Sequence, residues 1–308
     1  MTDERPVISL RNLRKSYGTF ELGPIDLDVQ PGYVVAIVGP NGGGKSTLMG
    51  MLMNLIKPTS GEITIFGGVY PEEEVTVKRR IGYAPERPSG YDGLSSRDLG
   101  EFVSRFYPGW DQRLYEDLLA DAAIEPEKSF GEFSTGTQRR LTFALALATG
   151  SELLLLDEPT GGVDPFARRR ILEGISRFMM DERYGDRTVL FATHVMEEVR
   201  RIADYVAFLV DGKLLGLFEK DALLEGWRTF WLDKEPESEV PGQVEVESGN
   251  PCGSLARIVS DSPRETEEAL CARNIRVVRS GALDLEEILS HLMRRGKAKR
   301  IKSSRTGE

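Results

Sequence analysis

Apolar residues along this chain come in short blocks with two distinct periods. Ile25, Leu27 and Val29 alternate with Asp26, Asp28 and Gln30, the period-2 pattern of a strand with one buried face. Pro31–Gly32 punctuates it. Residues 33–38 then form a continuous apolar run, as a strand buried on both faces requires. Similar runs return at Leu153–Leu156, Thr188–Ala192 and Tyr205–Val210, the last closed by an Asp211–Gly212 turn. Between the runs the period lengthens. Leu48–Leu55, Phe166 to about Met180, and Glu197–Ile202 read as helices. Strands alternating with helices predict an α/β fold whose sheet is mostly parallel and covered on both sides.

The stretch from about Pro88 to Ala148 reads as helical throughout. Leu99, Phe102, Val103 and Phe106 share one predicted apolar face. Asp111 is placed to cap the next helix, which carries Leu114, Leu118 and Leu119, with Trp110 as a hydrophobic staple before the cap. Composition shifts near Gly226. Beyond it, Ala256–Ser260 and Ile275–Arg279 read as strands, Ser262–Glu265 as a capping box, and Leu285, Ile288, Leu289 and Leu292 as an amphipathic helix. His291 falls outside that leucine stripe and reads as a surface residue. Trp227 and Trp231 read as packing residues of this module, with a dimer contact as the other option. The expected organisation is one large domain over 1–226, with its helical part at about 88–148. A small α+β module over 227–292 and a basic tail over 293–308 follow.

Composition narrows the function classes. The chain has 308 residues, 40 Lys and Arg against 49 Asp and Glu, two cysteines and two histidines. Cys252 and Cys271 make no disulfide framework, and His194 with His291 makes no His-rich metal cage. The acidic balance argues against nucleic-acid binding by bulk charge. No run reaches the roughly 18 apolar residues that a membrane span needs, and the N-terminus lacks the apolar core of a secretory signal. The expectation is a soluble, cytoplasmic protein whose membrane role, if any, runs through a partner. The tail from Met293 carries seven bases and one acid, or +6, leaving −15 for the remainder. It reads as a solvated, disordered tail, or as a weak contact for anionic lipid.

The candidate chemistry begins at Gly39, Pro40, Asn41, Gly42, Gly43, Gly44, Lys45, Ser46 and Thr47. They fit G-x-x-x-x-G-K-[ST] between a buried strand and a helix. Glycines allow a tight turn that aims backbone N–H groups at phosphate oxygens, and the following helix adds the positive end of its dipole. Lys45 can reach the β- and γ-phosphates of ATP, and the Ser46 hydroxyl can ligate Mg²⁺. The leucine run 153–156 ends in Asp157 and Glu158. Asp157 suits the metal. Glu158, pointing elsewhere, suits a general base or water-positioner. Adjacent buried carboxylates without a task would be expensive.

Two further segments complete the pattern. Phe133, Ser134, Thr135, Gly136 and Thr137 precede the Asp157 strand, and Thr193–His194 follows it directly after an apolar run. With Gly162, Val163 and Asp164 just past Glu158, the order resembles that of ATP-binding-cassette (ABC) ATPases: Walker A, signature, Walker B, D-loop and switch histidine. The resemblance covers about residues 5–220. It implies a P-loop NTPase cassette with a mostly parallel core, an antiparallel β subdomain and a helical subdomain, and here an appended α+β module. It also implies a head-to-tail dimer, in which Ser134 and Gly136 of one copy close over ATP held by the other. His194 is then the γ-phosphate sensor, and Tyr17 the aromatic residue that stacks on adenine.

Departures from the family pattern point to a branch. The signature usually reads L-S-G-G-Q, and Thr135 and Thr137 differ from it. Ile81 to Glu86 matches the Q-loop, yet Glu86 stands where glutamine is usual. A carboxylate can still ligate Mg²⁺, but it adds negative charge near the γ-phosphate and cannot donate a hydrogen bond. The variant resembles the exporter-type, bacitracin-exporter-like (ABC-2) branch, which implies a separate transmembrane permease, a second ATP-binding subunit, and a place at the inner face of the cell membrane. Tyr83, Arg87 and Tyr91 are candidate residues of the groove facing the permease. Two other readings stand beside it: a soluble ABC ATPase of DNA repair or translation, and a regulatory cassette with weakened ATPase activity. Co-purification with a polytopic protein separates the first of these from a transporter subunit, and measured turnover separates the second.

Overall fold

The computed structural model describes residues 5–181, 185–247 and 255–294. Cys252 and the basic tail from residue 295 lie outside them. The chain divides into two compact units, Met1–Leu217 and Phe218–Glu308, a break slightly before the composition shift at Gly226.

The first unit runs β1 (Ile8–Tyr17), β2 (Phe20–Val29), β3 (Val34–Val38), α1 (Lys45–Leu52), β4 (Ser60–Ile65), β5 (Gly68–Val69), α2 (Glu74–Lys78), β6 (Ile81–Ala84), α3 (Ser96–Ser104), α4 (Gln112–Asp121), α5 (Thr135–Ala148), β7 (Leu153–Asp157), α6 (Pro165–Met179), β8 (Thr188–Thr193), α7 (Met196–Ile202), β9 (Tyr205–Val210) and β10 (Lys213–Glu219). Its main sheet has the order β10-β9-β3-β8-β7-β6. The pairs β9–β3, β3–β8, β8–β7 and β7–β6 are all parallel. The β9–β10 hairpin turns through Asp211 (φ 47°) and Gly212 (φ 74°), two left-handed residues that match strand twist. A second sheet, β2-β1-β4-β5, is antiparallel throughout.

The two sheets sandwich one core. Ile8, Leu10, Ile25, Leu27 and Val29 meet Leu48, Met49 and Leu52 of α1 and the inner face of the main sheet, Ile37, Leu153, Leu155 and Leu190. Leu154 and Leu156, on the other face of the same strand, are equally buried. This explains why β7 shows no alternation: both faces are covered. The helical part has its own core of Leu99, Tyr115, Leu119, Ile124, Phe130, Leu141 and Leu145.

Local signals in the helical part are partly as expected. Asp111 accepts from Leu114 N at 2.9 Å and caps α4. Trp110 packs on Tyr115 with ring centroids 5.2 Å apart, the N′–N4 contact of a hydrophobic staple. The predicted apolar face of α3 is only half used. Leu99 is buried, but Phe102 and Phe106 are each 51% exposed and pack edge-on against one another. The helix ends at Ser104, so Phe106 lies beyond the last turn that could bring it to the core.

The second unit holds α8 (Lys220–Glu225), β11 (Arg228–Leu232), β12 (Gln243–Glu247), β13 (Ala256–Ser260), α9 (Pro263–Ala272), β14 (Val277–Ala282) and α10 (285–294). Its sheet has the order β12-β13-β11-β14, with antiparallel pairs. Three expectations need correction here. The strand expected at Ile275–Arg279 starts at Val277 and runs on to Ala282. The Ser262–Glu265 capping box does not form: the Ser262 hydroxyl turns to Asp261 at 3.4 Å, and Ser262 N donates to Ser260 Oγ instead. His291 is not a surface residue but only 6% exposed. It stacks on the buried Trp227 at 5.9 Å and pairs with Glu245 at 3.0 Å. The leucine stripe marks one face of α10, and an aromatic contact buries a second. Trp231 is half-covered, with the Arg279 guanidinium 4.9 Å above its ring.

Candidate active site

The glycine-rich turn leaves the C-terminal end of β3, the central strand, and enters α1 directly at Lys45. The helix thus starts three residues earlier than its apolar pattern indicates. Its N-cap, Gly44, has φ 103° and provides no side-chain cap, so the first N–H groups of α1 stay available to a ligand. A Cβ on Gly44 would lie 2.7 Å from Leu22 Cδ1, so both conformation and space require glycine. Gly43 N donates to Pro40 O at 3.1 Å and closes the turn.

A cleft of about 390 Å³ opens over this turn. Its walls include Asn41, Gly42, Gly44, Lys45, Ser46 and Thr47 together with Glu86 and Glu158. The sequence-predicted groups from three separate segments therefore meet in one place. Lys45 is buried, with Nζ donating to Gly39 O at 2.8 Å and Pro40 O at 3.2 Å. The same Nζ lies 3.2 Å from Glu158 Oε1. Glu158 Oε2 is 2.8 Å from His194 Nδ1. Glu158 itself adopts φ 49°, a conformation uncommon for a residue with a side chain. Its carboxylate thus lies between Lys45 and His194.

Asp157 is 3% exposed, and its Oδ1 has no hydrogen-bond partner among the described residues. Burial raises its pKa to about 6, with Glu86 and Glu158 adding to the rise while the Ser46 hydroxyl and Lys45 oppose it. A buried, underpartnered carboxylate beside a serine hydroxyl is a donor set that fits a hard divalent cation.

Glu86 finds a partner that the sequence reading did not foresee. Arg139, on α5 just after the signature segment, places Nη2 3.8 Å from the Glu86 carboxylate and donates from Nε to Glu86 O at 3.1 Å. Its Nη1 donates to Gly161 O. One guanidinium thus ties the Q-loop position, the helix after the signature and the loop after Glu158. Sequence offered a weak hint: Arg139 is a cation in a motif-bearing segment, but 53 residues from Glu86. Phe20 was also missed. It lines the cleft and would crowd any side chain at Gly44. Tyr17 faces Phe20 across the β1–β2 turn. It is 48% exposed, under the Lys15 ammonium, and is not among the cleft-lining residues.

Ser134 and Gly136 lie elsewhere. Ser134 caps α5, accepting from Thr137 N at 3.2 Å, and neither residue lines the cleft of its own chain. Of the groove candidates, Tyr91 packs on Phe130 at 5.5 Å, Arg87 is an exposed cation beside Glu86, and Tyr83 is half-buried with its pKa pushed up by burial. A second cleft of about 400 Å³ between α4, α5 and α6 contains none of the motif residues.

A mostly parallel sheet with a phosphate loop after its central strand β3, an acidic pair at the end of β7 and a histidine just past β8, the strand between them, defines a nucleotide-binding cassette. Residues 22–161 match the ABC transporter family model. YjkB of Bacillus subtilis (strain 168), an ABC transporter ATP-binding protein by name, is 37% identical over 231 residues, spanning 71% of this chain and 90% of YjkB. The bacitracin transport ATP-binding protein BcrA of Bacillus licheniformis is 33% identical over 215 residues, 68% of each chain. A dimeric bacterial ABC transporter cassette superposes with a TM-score of 0.60 at 25% identity, covering 69% of this chain and 98% of that one. The chain belongs to the ABC transporter ATP-binding proteins, a family whose cassettes bind ATP and are generally ATPases. The α/β cassette expected from the motif order is the fold observed, and the exporter-like branch is represented among its relatives.

Proposed function

We propose that this chain hydrolyses ATP with Mg²⁺ at the interface of two copies and thereby drives a separate transmembrane permease. The observation that carries the reading is the convergence of Lys45, Glu158 and His194 on the phosphate turn, with Glu158 within reach of both. Lys45 holds the β- and γ-phosphates. Glu158 orients and deprotonates the attacking water, and His194 contacts the γ-phosphate and fixes the Glu158 carboxylate. Gly39 to Thr47 cradle the phosphates, and Tyr17 stacks on the base. Ser46 and Asp157, with Glu86 beside them, hold the magnesium. That ion supplies charge neutralisation of the phosphates.

Ser134 and Gly136 sit at the exposed start of α5, a 14-residue helix. Neither lines the phosphate cleft of its own chain, so in this reading they serve the nucleotide of the second copy. Among the described residues no helix is long and apolar enough to cross a membrane; in this reading the permease is a second chain, and membrane contact runs through it. By analogy with BcrA, whose name assigns it to bacitracin transport, the permease is an exporter, and the cassette works at the inner membrane face.

The test is ATP turnover by the purified chain with and without magnesium, alongside Glu158→Gln. Magnesium-dependent phosphate release by the wild type, and an ATP-stabilised dimer of the variant, support the reading. Equal turnover by the two proteins would remove Glu158 from its role.

A further inference from the structure

Glu198 on α7 is a charged residue with 1% exposure, and no motif accounts for it. Its two carboxylate oxygens accept from two buried hydroxyls on different segments. Thr160 Oγ1 donates to Oε1, and Thr193 Oγ1 donates to Oε2 at 2.8 Å. The Thr193 hydroxyl in turn accepts from Val195 N at 3.0 Å. Arg168, near the start of α6, places Nε 3.7 Å from Oε1. Thr160 is two residues after Glu158, and Thr193 is the residue before His194.

We propose that Glu198 is the positioning residue of the hydrolytic pair: its carboxylate clamps the loop carrying Glu158 to the loop carrying His194. The inference rests on the hydrolysis reading given above. A buried carboxylate costs several kcal/mol in desolvation, and an apolar side chain of similar size would fill the space at lower cost. What an apolar residue cannot do is accept both threonine hydroxyls at once. Among the described residues a backbone bond from Glu158 N to Ala192 O, at 2.9 Å, also joins these two strand ends. That bond fixes one strand-to-strand distance but leaves the turn after each strand free. The carboxylate fixes the turns. Since Glu158 sits at φ 49°, its direction depends on how the following residues are held. Glu198 is not among the residues that line the phosphate cleft, so its task is separate from nucleotide capture.

The experiment compares Glu198→Ala, Glu198→Gln and the double variant Thr160→Val/Thr193→Val in the full chain. Glutamine can accept from one threonine and donate to the other, so it retains the clamp. Misplacing a catalytic group by about 1 Å costs on the order of a hundredfold. The expected result is a kcat lower by at least about tenfold in Glu198→Ala and in the double threonine variant. KM for ATP stays within about threefold, because phosphate-loop binding is untouched. Glu198→Gln keeps at least about a third of wild-type kcat. Amide hydrogen exchange reads the clamp without hydrolysis: Glu198→Ala speeds exchange in both 158–161 and 193–198, and Glu198→Gln does not. Wild-type kcat in Glu198→Ala, or unchanged exchange in either segment, overturns the clamp. So does a loss of activity that Glu198→Gln fails to rescue. If Glu198→Ala does not fold, the glutamine and threonine variants carry the same decision. A wild-type chain without turnover sinks the hydrolysis reading, while the exchange data still judge the clamp.

Discussion

Nδ1 of His194 lies 2.8 Å from Oε2 of Glu158, while Oε1 of the same carboxylate lies 3.2 Å from Lys45 Nζ. One carboxylate therefore connects the phosphate turn at the end of β3 to the loop after β8. Any group that enters between Lys45 and His194 meets Glu158 first.

This relationship predicts the two strongest activity losses. Glu158→Gln keeps the shape and both contacts in altered form but removes the base. Turnover is expected to fall by about a hundredfold or more, the usual weight of a general base. ATP should then hold the variant as a dimer, read by light scattering after gel filtration. His194→Ala should lower kcat in the same direction without abolishing ATP binding, measured with a fluorescent ATP analogue.

Glu86 and Arg139 form a partly exposed pair at 3.8 Å. Glu86→Gln is expected to leave ATPase activity within about tenfold, or about 1.4 kcal/mol of barrier. A double-mutant cycle with Arg139→Gln should give a coupling of about 0.5 kcal/mol, as befits a pair with solvent access. A larger loss from Glu86→Gln alone would give the carboxylate its own catalytic task.

Asp157 Oδ1 is buried without a hydrogen-bond partner among the described residues. Chelation of divalent ions should stop turnover. Asp157→Asn should need at least about tenfold more magnesium for half-maximal activity, since metal sites lose affinity by that order even when an outer group is removed. ATP binding in the presence of chelator should persist, which separates loss of metal from loss of the nucleotide site. Magnesium activation curves decide it.

His291 predicts a pH dependence of the second unit. Burial is the main cause that lowers its pKa below 6.5; Arg294 and Arg257 lower it too, and Glu245 and Glu287 oppose. A histidine with a lowered folded-state pKa binds protons better when unfolded. The stability it permits is present above its ordinary pKa and is lost as pH falls through the lowered value. Thermal melts of the wild type should therefore fall off more steeply from pH 7.5 to pH 5 than those of His291→Gln. Parallel curves would show that the histidine is not the titrating group.

Much of the site was legible because a phosphate turn is a local structure. Gly39 to Ser46 specify it by conformational freedom and chain order alone, and the leucines before Asp157 specify a strand with both faces covered. The same holds for the Trp110–Asp111 helix start, whose cap and staple lie within five residues of one another. The signals that failed are those that need a neighbour. Phe102 looks like Leu99 in sequence, yet only packing decides which is covered. His291 looked exposed because its burial comes from Trp227, 64 residues earlier.

By itself the sequence determined the order of the chemical segments: a phosphate loop, a signature, an acidic strand end and a histidine, each set by spacing along one strand or turn. Only the tertiary structure decided what those groups face. It brought Glu158 between Lys45 and His194, set Arg139 against Glu86, and buried Glu198 between two threonines. Each of these depends on parallel strands stacking segments distant in sequence at one end of the sheet. A hydrophobic pattern records that a strand is buried; which loop ends lie beside its own is settled only when the strands pair.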